Sequence, residues 1–137
     1  EGVAAYGRTD TVCYNGDINS VADYERFIGN YPDIMKVMIG RGMIADPCLA
    51  ERIKSTATGR AYDWNRFFTF HDGLYNNYCE SDVGRGNTMF KMKELWAYWS
   101  RLFVDMEGAA NNFKQEIASK DNGEYEAAVR VLAALCR

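Results

Sequence analysis

Apolar positions along the chain follow two different rhythms. In residues 1–57 short apolar runs alternate with amphipathic stretches. "TVCY" at 11–14 and "KVMIG" at 36–40 read as strands, the second a buried one carrying Val37, Met38 and Ile39. Between them, Ser20 stands at an N-cap position, with Asp23 near the positive end of the helix it starts. That helix, "VADYERFIGN", places Val21, Tyr24, Phe27 and Ile28 on one face; Gly29-Asn30 ends it and Pro32 bars its continuation. After the second strand, Asp46 is expected to cap a helix with Pro47 at its first position and Cys48, Leu49 and Ile53 facing inward. The order strand–helix–strand–helix predicts a parallel sheet covered by helices. Two parallel strands do not make an independent sheet. This half is therefore expected to belong to a larger α/β domain or to pair with a second copy of itself.

Residues 58–137 show no strand alternation. Past the linker "STATGRA", Asp63 is expected to cap a helix running to about Tyr78. "CESDVGRGN" reads as a loop, with Asn87 capping the next helix. In that helix Met89, Met92, Trp96, Trp99 and Phe103 recur at intervals of three or four, which marks a buried stripe. Gly108 breaks the pattern. "AANNFKQEIAS" is a weaker helix with Phe113 and Ile117, Asn122-Gly123 turns the chain, and Tyr125, Ala128, Val129, Leu132 and Leu135 face inward on a last helix. Four helices with short connections predict a small bundle.

Composition narrows the class. A chain of 137 residues with 47% hydrophobic and 14% aromatic content has ample material for a packed core. No apolar run approaches the roughly 20 residues of a membrane span, and the start "EGVAAYGRTD" lacks the basic and apolar regions of a signal peptide. The absence of an initiator methionine reads as a sign of a processed or excised piece. Cys13, Cys48, Cys79 and Cys136 are far apart and His71 is the sole histidine. This argues against a zinc or other metal site and for free thiols in a reducing, cytoplasmic setting. The net charge of −3 gives no global attraction to nucleic acid, but Arg85, Lys91, Lys93 and Arg101 cluster against Glu94 alone.

Both predicted strands run into glycine turns, Asn15-Gly16-Asp17 and Gly40-Arg41-Gly42. The carboxyl ends of parallel strands are where α/β proteins place ligands. Glycine lets backbone approach an anion closely, and a guanidinium fork suits phosphate oxygens. Two such turns on neighbouring strands could hold one phosphate between them; ordinary turn chemistry, with Arg41 paired to a carboxylate, is the alternative.

"YNGDI", a helix, and then "VMIGRGMIADPCLAERI" closely resemble the end of the barrel in the tRNA-dihydrouridine synthases, with an NG[DE]I turn after the seventh strand and a VMIGRG pattern after the eighth. The resemblance is strong over about residues 10–54 and looser over 58–137, where "KMKELWAYW" looks like the family's basic-aromatic helix. It implies that residues 1–57 are an α/β remnant of an FMN-binding TIM barrel (its last two βα units) and that 58–137 are an all-α, four-helix tRNA-binding domain. It further implies an enzyme that uses FMN, reduced by NADPH, to deliver hydride to the C5=C6 bond of a tRNA uridine. Carried over, Asn15, Gly16, Gly40, Arg41 and Gly42 contact the FMN phosphate, and Asp17 holds the acidic position of the turn. Met43 and Ile44 depart from the usual small residue then leucine. The family's catalytic cysteine loop, flavin-contacting lysine and histidine precede the region present here. No residue of this chain is therefore assigned a catalytic role, and the piece alone is expected to be inactive.

On the helical half, Lys91 and Lys93 flank the apolar stripe, Arg101 lies further along and Arg85 lies before it. Such a cluster can meet RNA phosphates, and Tyr98, on the Lys91 face, can stack a base; a solvated border is the plainer alternative. Trp96 and Trp99 read as core, His71 as a surface or capping residue, and Asp63, Asp72 and Glu80 as caps and solvated face. Two other functions are open: another FMN barrel oxidoreductase acting on a small dihydropyrimidine-like substrate, and a non-catalytic helical module binding RNA or protein. With its strands cut from their neighbours, the first half is expected to self-associate or to lose order while the bundle stays folded.

Overall fold

Ser20 begins the first helix as its hydroxyl pattern requires, its Oγ accepting a hydrogen bond from the Asp23 amide at 3.1 Å. The computed structural model describes residues 9–55, 61–81, 85–104, 106, 108 and 118–136. The chain divides into two compact units, Glu1–Thr58 and Gly59–Arg137. Its described part is mostly helical, with one small two-stranded parallel sheet.

In the first unit a 3-10 turn, Thr9–Thr11, leads into β1 (Cys13–Tyr14), which is succeeded by α1 (Val21–Asn30), β2 (Lys36–Val37), α2 (Arg41–Ala45) and α3 (Leu49–Lys54). β1 and β2 pair in parallel with Cys13 opposite Lys36 and Tyr14 opposite Val37, and the Met38 amide donates to the Tyr14 carbonyl at 2.8 Å. The small core is Ile18, Phe27 and Ile34, with Tyr14, Tyr24, Val37 and Ile39 packed around it and the Tyr14 ring stacked on Phe27 at 4.0 Å.

The fold departs from expectation in three places in this unit. The strands are shorter than predicted: Thr11 belongs to the 3-10 turn, and Met38 and Ile39 lie past the end of β2. Nor is the second strand region buried throughout, since Met35 is 80% and Met38 55% exposed. Side chains alternate along extended backbone, so Val37 and Ile39 turn to the Phe27 cluster and Met38 turns away from it, whereas Met35 precedes β2. Finally, α2 intervenes between β2 and the helix expected from Asp46. Asp46 lies at the C-cap of α2, yet its carboxylate also secures the entry to α3, accepting the Cys48 amide at 2.9 Å and an Arg52 Nη1 hydrogen bond at 2.7 Å.

The second unit contains α4 (Trp64–Glu80), α5 (Arg85–Trp99), a 3-10 turn (Ser100–Phe103) and α6 (Asn122–Leu135). Asp63 caps α4 as expected, accepting the Arg66 amide at 3.0 Å. Every member of the predicted stripe, from Met89 on α5 to Phe103 on the 3-10 turn, is buried, and these residues pack with Phe67, Phe68, Tyr75, Tyr125, Val129 and Leu132 into one aromatic-rich core. Gly108 has φ +83°, a left-handed conformation that favours glycine. α5 starts at Arg85, so Asn87 is inside the helix and not its cap. Asn122 and Gly123 likewise lie in the first turn of α6; Asp121 is the cap, its carboxylate accepting the Glu124 amide at 2.9 Å while Glu124 accepts the Lys120 amide at 2.8 Å. Leu135, expected inside, is 47% exposed. The helix predicted around Phe113 and Ile117 lies outside the described residues. Among the described residues no helix is long and apolar enough to cross a membrane.

Candidate functional site

Parallel pairing of β1 and β2 sends both glycine turns out at the same end of the sheet. They touch in two ways. The Arg41 guanidinium makes an ion pair with Asp17 across 24 residues of chain, both side chains being largely exposed, at 73% and 71%. Beneath it, Gly42 is buried against the first loop: a Cβ there would lie 2.1 Å from the Ile18 carbonyl oxygen. Gly42 is glycine because the backbones approach so closely.

The other glycines differ. A Cβ on Gly16 would lie 2.0 Å from the Tyr14 hydroxyl, so the space over Gly16 is taken by the ring that stacks on Phe27. A Cβ on Gly40 would meet nothing within 4 Å, so the approach over Gly40 is open. Of the six candidate residues in the two turns, Asn15, Asp17, Gly40 and Arg41 are exposed, Gly16 is half-buried and Gly42 is buried. The fit to a phosphate is therefore specific: Arg41 offers donors and Gly40 open backbone, while the Asp17 carboxylate competes with any anion.

Asp23 supports this unit from the start of α1. Hydrogen bonds from the Ser20 hydroxyl and the Asn19 amide, and the nearby Arg26, hold its carboxyl below the usual carboxylate range. A depressed folded-state value stabilises the fold above the ordinary carboxylate pKa, and that contribution is lost as pH falls below about 4. Ser20→Ala is expected to cost about 1 kcal/mol at neutral pH and less in acid; equal costs at pH 7 and pH 3 in denaturant melts would contradict this.

On α5, Lys91 and Tyr98 share an exposed face, and Arg101 comes next on the 3-10 turn, also exposed. Lys91 has only a loose pair with Glu94, at 3.9 Å with both side chains exposed. Lys93 is different: half-buried, its ammonium donates to the Ser119 carbonyl and lies 5.8 Å from the Phe90 ring centroid. Its role as a free phosphate contact is thereby weakened. Arg85 opens α5, and its side chain lies outside the described part. Phe90, 60% exposed, lies off the buried stripe, on the side where the Lys93 ammonium passes its ring.

His71 is not at the surface. It is 2% exposed, with Nε2 2.7 Å from the Tyr125 hydroxyl and Nδ1 2.9 Å from an Asp72 carboxylate oxygen. Trp96 Nε1 donates to the same Tyr125 hydroxyl at 2.8 Å. Standing four residues after Phe67, His71 falls on the inner face of α4, a spacing that could have revealed it. Nearby, Tyr75 donates to Glu126 at 2.8 Å; burial, and then the carboxylate, push its phenol above the ordinary tyrosine range.

All four cysteines are free, Cys13 exposed and Cys48 buried. Burial pushes the Cys136 thiol up to about 11, so its thiolate fraction near neutral pH is roughly 100-fold below that of an ordinary thiol. Iodoacetamide at pH 8 is expected to label Cys13 first and Cys136 far more slowly in the folded protein, as peptide mass mapping would record; equal rates would contradict the packing at Cys136. Among the described residues no group of three or more His, Cys, Asp or Glu side chains could hold a metal ion.

No protein-family model, curated protein or solved structure matches this chain.

Proposed function

We propose that the chain is the C-terminal part of an FMN-dependent tRNA-dihydrouridine synthase, comprising the last two βα units of its barrel and a helical domain that grips tRNA. The observation that carries this reading is the side-by-side exit of the NGDI and IGRG turns from two parallel strands, with Arg41 reaching across to the first turn. A phosphate would be held by the Arg41 guanidinium and by backbone around Gly40 and Asn15. Gly42 and Gly16 support the loops from within. When bound, FMN reduced by NADPH would supply the hydride for the uridine C5=C6 bond, and the role of this chain's own residues would be to position the cofactor's anionic tail. Exposed Met38, on the sheet face turned away from the Phe27 cluster, agrees with a face that side chains of further strands cover, in the full barrel or, for the isolated piece, in a second copy.

In the helical unit, Lys91, Tyr98 and Arg101 are the residues proposed to contact tRNA, with phosphates met by charge and an unpaired base by the tyrosine ring. Reversing charge with Lys91→Glu and Arg101→Glu is expected to weaken tRNA binding and to flatten its dependence on log salt by about 2. An unchanged slope would remove these residues from the interface.

The deciding experiment uses protein made from the complete coding sequence. It is expected to purify yellow, to release FMN on denaturation, and to convert tRNA uridine to dihydrouridine with NADPH. A yellow protein that reduces a small dihydropyrimidine-like substrate and leaves tRNA untouched would favour the other barrel oxidoreductase. A colourless protein that still retains tRNA would favour a binding module and overturn the flavin assignment.

A further inference from the structure

We infer that Asp17 is a built-in competitor for the anion that Arg41 would bind, so that phosphate must displace the carboxylate before it reaches the guanidinium. This rests on the proposed phosphate site and adds a determinant of affinity to it. Arg41 and Asp17 come from different turns, and their ion pair closes the space between those turns. Each side chain is exposed by about seven-tenths, so water screens the pair and breaking it changes an equilibrium only a few-fold. The hydrogen bond runs from one guanidinium nitrogen to one carboxylate oxygen, whereas a phosphate can engage the fork through two. Arg41 is thus kept in place between the loops without being locked.

A second arginine–aspartate pair in the same unit shows the contrasting design. Arg52 bonds Asp46 at 2.7 Å, but the Asp46 side chain is only 4% exposed and also accepts the Cys48 amide. That carboxylate joins the end of α2 to the start of α3, so its removal disturbs the fold. The Asp17 carboxylate is committed to Arg41 instead, and its neighbour Ile18 supplies the buried contact to Gly42 through main chain alone. Neutralising Asp17 therefore leaves the loop packing intact. It removes both the competing ligand and the repulsion between a carboxylate and an incoming dianion.

The test titrates inorganic phosphate into the full chain at low ionic strength and monitors the backbone amides of residues 15–18 and 39–43 by NMR. Asp17→Asn is expected to bind phosphate about three- to tenfold more tightly than the parent chain, with Asp17→Ala behaving similarly, because the weak ion pair and the screened repulsion are each worth a few-fold. Arg41→Gln is expected to abolish the response. The thermal transition of Asp17→Asn should match that of the parent, whereas Asp46→Asn should melt lower. If the parent chain binds phosphate and both Asp17 variants bind equally or more weakly, the competitor role is refuted and the phosphate site stands. If neither the parent nor the Asp17 variants bind, or binding persists in Arg41→Gln, the phosphate site itself is refuted and Asp17 has nothing to compete for.

Discussion

Replacing Tyr125 by phenylalanine is expected to lower the stability of the helical unit by about 2–4 kcal/mol, although only one oxygen atom is lost. That oxygen serves two buried partners. Trp96 Nε1–H can only donate, so the Tyr125 oxygen accepts from it. With Nδ1–H of His71 directed to Asp72, Nε2 is the acceptor, and the Tyr125 O–H donates to it. This arrangement satisfies each group at once. Removing the oxygen strips a hydrogen bond from two polar atoms on two other helices, in a core where Tyr125 is 0% and Trp96 1% exposed. The neighbouring rings cannot compensate, because Tyr75 is committed to Glu126. The unfolding midpoint tracked by tryptophan fluorescence is expected to fall by roughly 10–20 °C. Combining Tyr125→Phe with His71→Phe should cost less than the sum of the two, since the second change removes a group that the first leaves wanting. A loss under about 0.5 kcal/mol for the single variant would show that the network contributes little.

The same network lies beyond what local sequence pattern can reveal. The stripe on α5 and the 3-10 turn after it is legible because apolar residues recur at helical spacing; all of Met89, Met92, Trp96, Trp99 and Phe103 are buried. Ser20 and Asp63 are legible as caps because each precedes an apolar-periodic run. Residue type alone puts His71 at the surface, although Phe67, Phe68, His71 and Tyr75 share one face, and a histidine on such a face is buried when it finds partners. Its partner Tyr125 lies 54 residues away, and no local pattern announces such a pairing. Propensity marks Asn87 and Asn122 as helix boundaries; α6 starts one residue earlier because Asp121 and Glu124 make its cap locally, and α5 is already helical at Arg85.

The candidate site is legible in part for a related reason. Strand-to-glycine turns are local features, and two parallel strands bring them together. What each glycine does is not local. "GRGMIA" has poor helix propensity, so the sequence does not announce α2, nor with it the burial of Gly42. The pairing of Arg41 with Asp17 and the covering of Gly16 by Tyr14 both depend on the turns having met in space.

Gly40 and Gly42 flank the same arginine, and substituting each by alanine is expected to give opposite results. At Gly42 the new Cβ would lie 2.1 Å from the Ile18 carbonyl oxygen, 3.0 Å from Ile39 Cγ2 and 3.1 Å from Leu49 Cδ2. The oxygen is main chain, and its residue is 2% exposed in the Phe27–Ile34 cluster, so relief requires moving the loop out of that core. Overpacking of this kind costs about 3 kcal/mol, enough to open a unit whose core is this small. At Gly40 the Cβ enters open space and φ, at −95°, is outside the left-handed region, so the cost stays within about 1 kcal/mol. Amide hydrogen exchange at Tyr31 and Met38, whose amides bond Phe27 and Tyr14 carbonyls, reads the local opening directly. Fast exchange is expected in Gly42→Ala and parent-like exchange in Gly40→Ala. Phosphate binding should be lost in both, in the first because the site comes apart and in the second because a methyl group stands where the anion approaches an intact site. Gly40→Ala that keeps both its protection and its phosphate affinity would mean that the anion does not come in over Gly40.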